Sequence, residues 1–529
     1  MIRRSAAVIV ALLLVNGAIT FHNVWPTLGI RWPGELSIEV AVLLLALSIS
    51  NAVLGRTSPR VLAFLAVVLL LFAIGRYGEV TAPALYGREI NLYWDAQHVG
   101  ALAGMLTAVA PTWMIIVGAL ALIAALTLLY LGARWSLGKL DEALRDRKAQ
   151  IGFGIAATVL ITLFVVQRLD DRVPRVPQFS IPVSNTYAVQ IARVLDTFAS
   201  SRAARALPAS PPLQANLATL EGRDVLVVFM ESYGRVTYDR PEIATVVNPA
   251  RDRFAAAVQA TGRQVISGFV TSPTFGGSSW FAHSSLLSGI KVADPDRYAL
   301  LLTQHRPTLA QTFKAKGYRA VAMMPGLKQS WPEGAFYGFD KIYDMDALDY
   351  RGPQFGWWRI PDQFSLAALD AREIQPQPRK PLFVFFPTLN THMPFRPTPP
   401  LQEDWARVLS TTPFDAPDVQ RSITETPQWT NMGASYADSV RYAFEVLASY
   451  LRHRPDEHFV LIVLGDHQPA ANVSGEGASW DVPVHIVSDR ADVLASLETQ
   501  GFVPGTVPRQ PAISPMNELG PMLLSAFSH

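Results

Sequence analysis

Five apolar stretches precede residue 170. Residues 5–21, 40–55, 61–75, 113–133 and 149–167 carry no charge. A helix that crosses a bilayer needs about 20 mostly apolar residues, so this pattern predicts five membrane spans in a domain covering residues 1–168. The second and third stretches are short on a strict no-charge count. Arg60 and Arg76 flank the third and are expected to snorkel from its ends. The first stretch has no clear small-residue cleavage site and is read as a span, not a signal peptide.

The pattern then changes twice. Residues 169–222 are broken by Pro174, Pro177, Pro182, Pro208, Pro211 and Pro212, which predicts a connector with a helix near 186–204. From Arg223 onward, short continuous apolar runs alternate with helical patterns. Strands are predicted at 225–230, 265–270, 319–324, 381–387, 459–464 and 482–487, and helices at 279–288, 307–317 and 432–452. Continuous apolar strands alternating with helices mark an α/β domain with a mostly parallel sheet, here residues 223–529. The predicted fold is a multi-span helical membrane domain followed by that α/β domain.

Charge supports the division. Residues 1–168 hold 13 Lys/Arg and 8 Asp/Glu, a net +5, and the rest of the chain is −3, with 32 basic and 35 acidic residues. The whole is +2 and only 17% charged, against about 25% for globular domains, so nucleic acid is excluded as a partner and a membrane is indicated. With no cysteine there is neither a disulfide framework nor a thiolate site. Arg3 and Arg4, then Arg56 and Arg60, then Arg134, Lys139, Arg145, Arg147 and Lys148 fall on one side of a five-span chain. The positive-inside rule makes that side cytoplasmic and puts everything after Arg168 outside it.

Ligands of such sheets bind at the carboxyl ends of strands. Three predicted strands end in reactive residues: one in Glu231-Ser232-Tyr233-Gly234, one in Asp466-His467 and one in Thr391-His392-Met393-Pro394. Two carboxylates and a neutral imidazole make a mixed oxygen and nitrogen site for Zn²⁺ or Mn²⁺. A glycine-rich run, Thr274-Phe-Gly-Gly-Ser-Ser279, leads into a helix. Gly276 and Gly277 let the backbone approach a phosphate, which the helix N-terminus attracts. A serine there also suits a helix cap. Asp362, after Ile360-Pro361, is read as an N-cap and His485 as a core residue.

These motifs resemble the alkaline phosphatase superfamily, and within it the membrane-anchored sulfatase-like transferases such as lipoteichoic acid synthases. Sulfatases place the catalytic residue ten positions before the Gly of a Leu-Leu-Thr-Gly run. Leu286-Leu287-Ser288-Gly289 closes that run here, and ten back is Ser279, with Ser278 its nearest competitor. The Leu-Glu-Ser metal acid of the synthases corresponds to Met230-Glu231-Ser232, their Asp-His pair to Asp466-His467, and their Thr-His-x-Pro-aromatic motif to Thr391–Phe395. The resemblance implies one divalent metal, Mn²⁺ or Zn²⁺ with Mg²⁺ as a third option, held by Glu231, Ser279, Asp466 and His467. It implies Ser279 as nucleophile and His392 as the group that orients substrate or protonates a leaving oxygen. His283, where sulfatases carry Arg, is read as a phosphoryl contact, with a packed helix residue as the equal alternative.

The departures are specific. Relatives mostly use Thr as nucleophile. The synthases' Trp-Asn-Arg segment grips glycerol phosphate; here Trp331 is followed by Pro332 and Glu333, leaving Lys328 as the nearby cation. Phosphoethanolamine transferases usually carry several cysteines and a Gly-Glu-Thr motif, and neither is present. The resulting reading is a cell-envelope transferase in a bacterial plasma (inner) membrane, its catalytic domain periplasmic or extracellular. It moves a phospholipid head group, phosphoglycerol-type favoured, to a glycan or lipid hydroxyl, with Lys328, Trp331 and His283 touching substrate. Two alternatives stand beside it: a membrane-anchored phosphodiesterase, phosphatase or sulfatase-like hydrolase, and a non-catalytic glycan- or lipid-binding membrane protein.

Overall fold

The computed structural model describes every residue except 1, 26, 87–88, 98, 101–102, 105–106, 108–110, 171, 200–206, 329–330, 356–358, 427, 429–430 and 529. The chain divides into two compact units, Met1–Ala199 and Ser200–His529.

The first unit is helical. Helices α1 (Ile2–Thr20), α2 (Ile38–Leu54), α3 (Pro59–Tyr86), α4 (Thr112–Ala143) and α5 (Arg147–Leu169) occupy the five apolar stretches. Among the described residues three helical segments are long and apolar enough to cross a membrane, Pro59–Leu85, Thr112–Ala143 and Arg147–Leu169; Ser5–Thr20 and Ile38–Leu54 are shorter. The expectation for Arg76 is corrected. α3 continues ten residues beyond it, so Arg76 is interior and buried and does not snorkel. Its Nε donates to Phe21 O at 2.8 Å, a carbonyl left unpaired where α1 ends, and its Nη1 lies 3.4 Å from Glu79. At the far end, buried Asp141 of α4 accepts from Asn51 Nδ2 (2.9 Å) and Thr57 N (3.0 Å), tying α4 to α2 and its following turn. Helix α6 (Val183–Ala199) completes this unit. Of the connector helix expected near 186–204, residues 200–204 lie outside the described residues.

The second unit is built on one sheet. Its strands are β1 (Asp224–Met230), β2 (Gln264–Thr271), β3 (Arg319–Met323), β4 (Lys341–Tyr343), β5 (Leu382–Pro387), β6 (Phe459–Gly465), β7 (Asp481–Ser488), β8 (Val503–Pro504) and β9 (Ser514–Pro515). The spatial order is β8-β2-β7-β6-β1-β5-β3-β4, with β9 also on β2. The β6-β1-β5-β3-β4 portion is parallel, while β7 runs antiparallel to both β6 and β2. β1 shows why its run is apolar throughout. Leu226, Val228 and Met230 pack on one face, under α7 (Pro241–Ala260) and α10 (Met432–His453). Val225, Val227 and Phe229 pack on the other, under α8 (Ser279–Ser288) and α11 (Met516–Ala526). Alternate side chains of a strand point to opposite faces, so a central strand covered on both sides reads as a continuous apolar run, here Val225 to Met230. One further helix, α9 (Asp362–Leu369), is fully buried.

His485 sits inside β7 as expected of a core residue. Its Nδ1 is 2.6 Å from Ser267 Oγ and its Nε2 is 2.9 Å from Tyr233 OH. Burial holds its pKa down at about 3, so the ring is neutral and both nitrogens serve hydrogen bonds.

Candidate active site

Register performs the first step of assembly. β1 pairs in parallel with β6, Met230 opposite Gly465, and with β5, Phe229 opposite Pro387. The residues that follow, Glu231, Asp466 and Thr388, therefore leave the sheet side by side at its carboxyl edge. A side chain at Gly465 would stand 1.8 Å from Tyr233 O, so β6 ends this close to β1 only because the residue is glycine. β2 reaches the same edge. The loop after it is fastened to the loop after β6 by Ser272 Oγ donating to Asp466 O (2.5 Å) and Gly276 N donating to Gln468 O (3.1 Å). Gly276, Gly277 and Ser278 then take three successive positive φ values, 68°, 145° and 62°, which swing the chain into α8.

Ser278 holds the N-cap position, with no side-chain cap bond, and Ser279 is the first helical residue. The Ser279 hydroxyl is thus not spent on capping. It donates to Glu231 Oε2 at 2.9 Å and lies 3.2 Å from His467 Nε2. Glu231, Asp466 and His467, all buried, bring one ligand atom each within 4.8 Å of the others. Asp466 Oδ1 accepts from the backbone N–H of Ser232 (2.8 Å) and of His467 (2.7 Å). Its Oδ2 is buried with no hydrogen-bond partner. His467 Nδ1 lies 2.7 Å from Gln468 O; a carbonyl only accepts, so the proton is on Nδ1 and Nε2 faces the cluster. Two carboxylates, an orphaned buried oxygen and an imidazole oriented by its own second nitrogen fit a divalent cation.

The charges are interdependent. Burial would raise the Glu231 carboxyl, but His467, helped by His392, holds it well below its usual range. Asp466 goes the other way, pushed well above by burial and by the charge of Glu231. Burial disfavours charge on His467, yet Asp466 and Glu231 outweigh it and raise that pKa to about 9. His283 lies one turn along α8, its Nε2 3.9 Å from Asp466 Oδ2 and its ring against Phe229 and Phe385. Burial lowers its pKa to about 4, so it is neutral.

The loop after β5 brings in His392. Thr388 N donates to Phe229 O (2.8 Å), and Thr388 Oγ1 accepts from Glu231 N (3.1 Å). The aromatic residue of the Thr-His-Met-Pro-Phe motif explains itself here. Phe395 packs on Tyr436 at 5.2 Å, and the Tyr436 hydroxyl donates to Ser232 O at 2.7 Å. His392 Nδ1 donates to Met393 O at 2.7 Å.

Two readings of the rim change, those of Asp362 and Lys328. Asp362 is not an N-cap: Pro361 holds that position and the carboxylate makes no cap bond. It turns away to accept from Leu389 N (2.7 Å) and Asn390 N (3.0 Å), and burial raises its pKa to about 7. Lys328 does not stand as the sole cation. Burial and the charge of Arg359 together lower its pKa, so Arg359 is a second cation near it, beyond the reach of any local motif. Trp331 stacks on Tyr337 at 5.4 Å, and the Tyr337 hydroxyl meets Ser284 Oγ of α8 at 2.7 Å, so this tryptophan leans on the helix of Ser279.

Residues 223–485 match the sulfatase family model. No curated protein matches the chain. Solved structures that resemble it include a protein of the alkaline phosphatase superfamily from Vibrio parahaemolyticus, with 18% identity over 54% of this chain and 67% of that one and a TM-score of 0.36. Another is the lipoteichoic acid synthase LtaP from Listeria monocytogenes, with 14% identity over 53% and 69% and a TM-score of 0.35. A third is the phosphoglycerol transferase GacH from Streptococcus pyogenes in complex with sn-glycerol-1-phosphate, with 12% identity over 59% and 86% and a TM-score of 0.35.

Proposed function

From the premise that the domain at residues 223–485 belongs to the sulfatase family, we propose a membrane-anchored, metal-dependent phosphotransferase that passes a phospholipid head group through Ser279 to a glycan or lipid hydroxyl. The observation that carries this reading is the Ser279 hydroxyl, 2.9 Å from Glu231 and 3.2 Å from His467 at the start of a helix that does not use it as a cap. Glu231, Asp466 and His467, with Ser279, would hold the cation. A cation bound there lowers the pKa of the Ser279 hydroxyl and offsets phosphoryl charge.

This chain's own groups do the rest. Having already lost its proton to solvent, Ser279 Oγ attacks phosphorus, the bond to the diacylglycerol oxygen breaks, and a phosphoryl-serine ester remains. Nδ1 of His392 is committed to Met393 O, so proton exchange falls to Nε2, which protonates the departing oxygen. In the second half an acceptor hydroxyl gives its proton to the same nitrogen and displaces Ser279. Lys328 and Arg359 supply positive charge for an anionic, phosphoglycerol-type group. Ser279 is followed by Trp280-Phe281-Ala282-His283, with no Pro or Arg of the kind that marks serine maturation in sulfatases, which favours transfer by an unmodified serine. The test is mass spectrometry of the Ser279 peptide after incubation of the purified chain with phospholipid. The expected result is one added glycerophosphoryl group, discharged by a sugar or lipid alcohol. Discharge by water alone would make the protein a hydrolase, and no adduct would end the covalent reading.

We further place this domain outside the cytoplasm of a bacterial plasma membrane. Five spans or the three longest both give an odd count with Arg56 and Arg60 inside. A C-terminal alkaline phosphatase fusion should be active and a fluorescent-protein fusion dark; the opposite pair of results reverses the orientation.

A further inference from the structure

We propose that Asp362 is a positioning residue for His392, a buried carboxylate that sets the turn presenting the imidazole to the oxygen entering or leaving phosphorus. The inference rests on the transferase reading above and deepens it. Asp362 is 2% exposed. Each carboxylate oxygen takes one backbone N–H of the loop after β5: Oδ1 from Leu389 at 2.7 Å and Oδ2 from Asn390 at 3.0 Å. The exchange is reciprocal, since Asp362 N donates to Asn390 Oδ1 at 2.8 Å. The two carboxylate bonds do nothing for α9, whose N-cap is Pro361; the return bond satisfies the first free N–H of that helix. The carboxylate bonds act on a segment 27 and 28 positions away.

The gripped segment is the base of the His392 turn. Leu389 O accepts from His392 N at 2.9 Å, and His392 O accepts from Phe395 N at 2.9 Å. A shift of Leu389 is therefore passed to His392. The flanking anchors are directed elsewhere: Thr388 holds the upstream end to β1, and Phe395 holds the downstream end to Tyr436. Between them the backbone offers two adjacent N–H groups, and buried donors need acceptors. The two oxygens of the carboxyl group satisfy both donors at once, one each, whereas an amide offers one acceptor oxygen and sets its own N–H₂ against the other donor. Misplacing a reacting group by about 1 Å costs roughly 100-fold in rate, and that is the loss expected when the clamp fails.

The test compares leaving groups. Full-length protein carrying Asp362→Asn is assayed on phosphatidylglycerol in detergent micelles, whose alkoxide needs a proton, and on bis(p-nitrophenyl) phosphate, whose phenolate does not. The expected result is a single-turnover rate of leaving-group release about 100-fold lower on the lipid and less than about 5-fold lower on the aryl ester, with metal content unchanged; single turnover is read because discharge of the serine ester uses His392 with either donor. His392→Gln should show the same split, and the double variant should be no worse than His392→Gln alone. Asn390→Ala removes the return bond but leaves the carboxylate. It should show a milder form of the same split, and it carries the test if Asp362→Asn does not fold. Equal losses on both substrates, or additive losses in the double variant, would overturn the assignment, as would an unchanged lipid rate. Wild-type protein inert on both substrates would instead overturn the transferase reading, and the clamp's role with it.

Discussion

Ser279→Ala should abolish transfer while leaving the fold and the metal cluster in place. Covalent catalysis needs the hydroxyl, so the expected loss is roughly 10⁴-fold or more. The cost to stability is modest, about 1.5–3 kcal/mol, because the hydroxyl bonds Glu231 and His467 and makes no cap bond. Ser279→Thr should retain activity, since a threonine hydroxyl reaches the same carboxylate. Ser279→Asn decides between roles: asparagine is among the best N-caps but carries no nucleophile. Ser278 is the internal control. It sits at φ 62° in the left-handed region, where glycine is at ease, so Ser278→Gly should keep turnover near wild type. Turnover rates of the four variants are the measurement. An active Ser279→Asn protein, or an inactive Ser278→Gly protein that still folds and binds metal, would move the nucleophile away from Ser279.

Much of this site was legible because each part lies where an apolar run stops. β1, β5 and β6 are covered on both faces, so each reads as an unbroken apolar segment, and the first polar residue after it marks the sheet edge. Glu231, Asp466, His467 and His392 all announce themselves in that way. The spacing to Gly289 singled out Ser279, and the structure supplies what spacing lacked, a hydroxyl directed at the cluster. Other parts carried no such signal. Arg359 comes near enough to Lys328 for its charge to lower that pKa, across 31 positions of sequence in which no periodicity connects them. Asp362 imitates a helix start, because proline followed by aspartate before an apolar run is how a capped N-terminus looks. Only the tertiary placement of 389–390 redirects its carboxylate. α7 was missed for the opposite reason. Pro249 lies inside it, and an internal proline argues for a break, yet the packing of α7 on α10 keeps the helix continuous. Arg76 was misjudged because a count of uncharged residues ends a helix at its first charge, whereas α3 runs on to Tyr86 and finds Phe21 O for the guanidinium. β4, β8 and β9 are two or three residues long, below the length at which alternation is visible.

His467→Ala and Glu231→Ala should each release the metal and reduce transfer on the order of 10³-fold, the scale of several kcal/mol of charge stabilisation. The stoichiometry expected is one divalent cation per chain, because the described residues assemble one cluster of three such ligands within 4.8 Å. The site is built to present single atoms. Backbone N–H groups of Ser232 and His467 occupy Asp466 Oδ1 and leave Oδ2 facing inward, and Gln468 O fixes the proton on His467 Nδ1. Without a cation, protons compensate the buried charge. Burial and Glu231 raise Asp466 well above the carboxylate range, and neighbouring carboxylates raise His467 to about 9. Metal binding must displace those protons, so its affinity should weaken as pH falls. A cation that binds only the folded domain stabilises it by about 2.7 kcal/mol at 100 times its dissociation constant. Wild-type protein should therefore show a higher Tm on adding Zn²⁺ or Mn²⁺, and His467→Ala should show no such rise. Elemental analysis and thermal unfolding with and without chelator read both effects, independently of any substrate. Two metals per chain would favour hydrolysis over transfer. Full metal retention in His467→Ala would remove this imidazole from the ligand set, and the orphaned Nε2 of His283, 3.9 Å from Asp466 Oδ2, would be the nitrogen to test in its place.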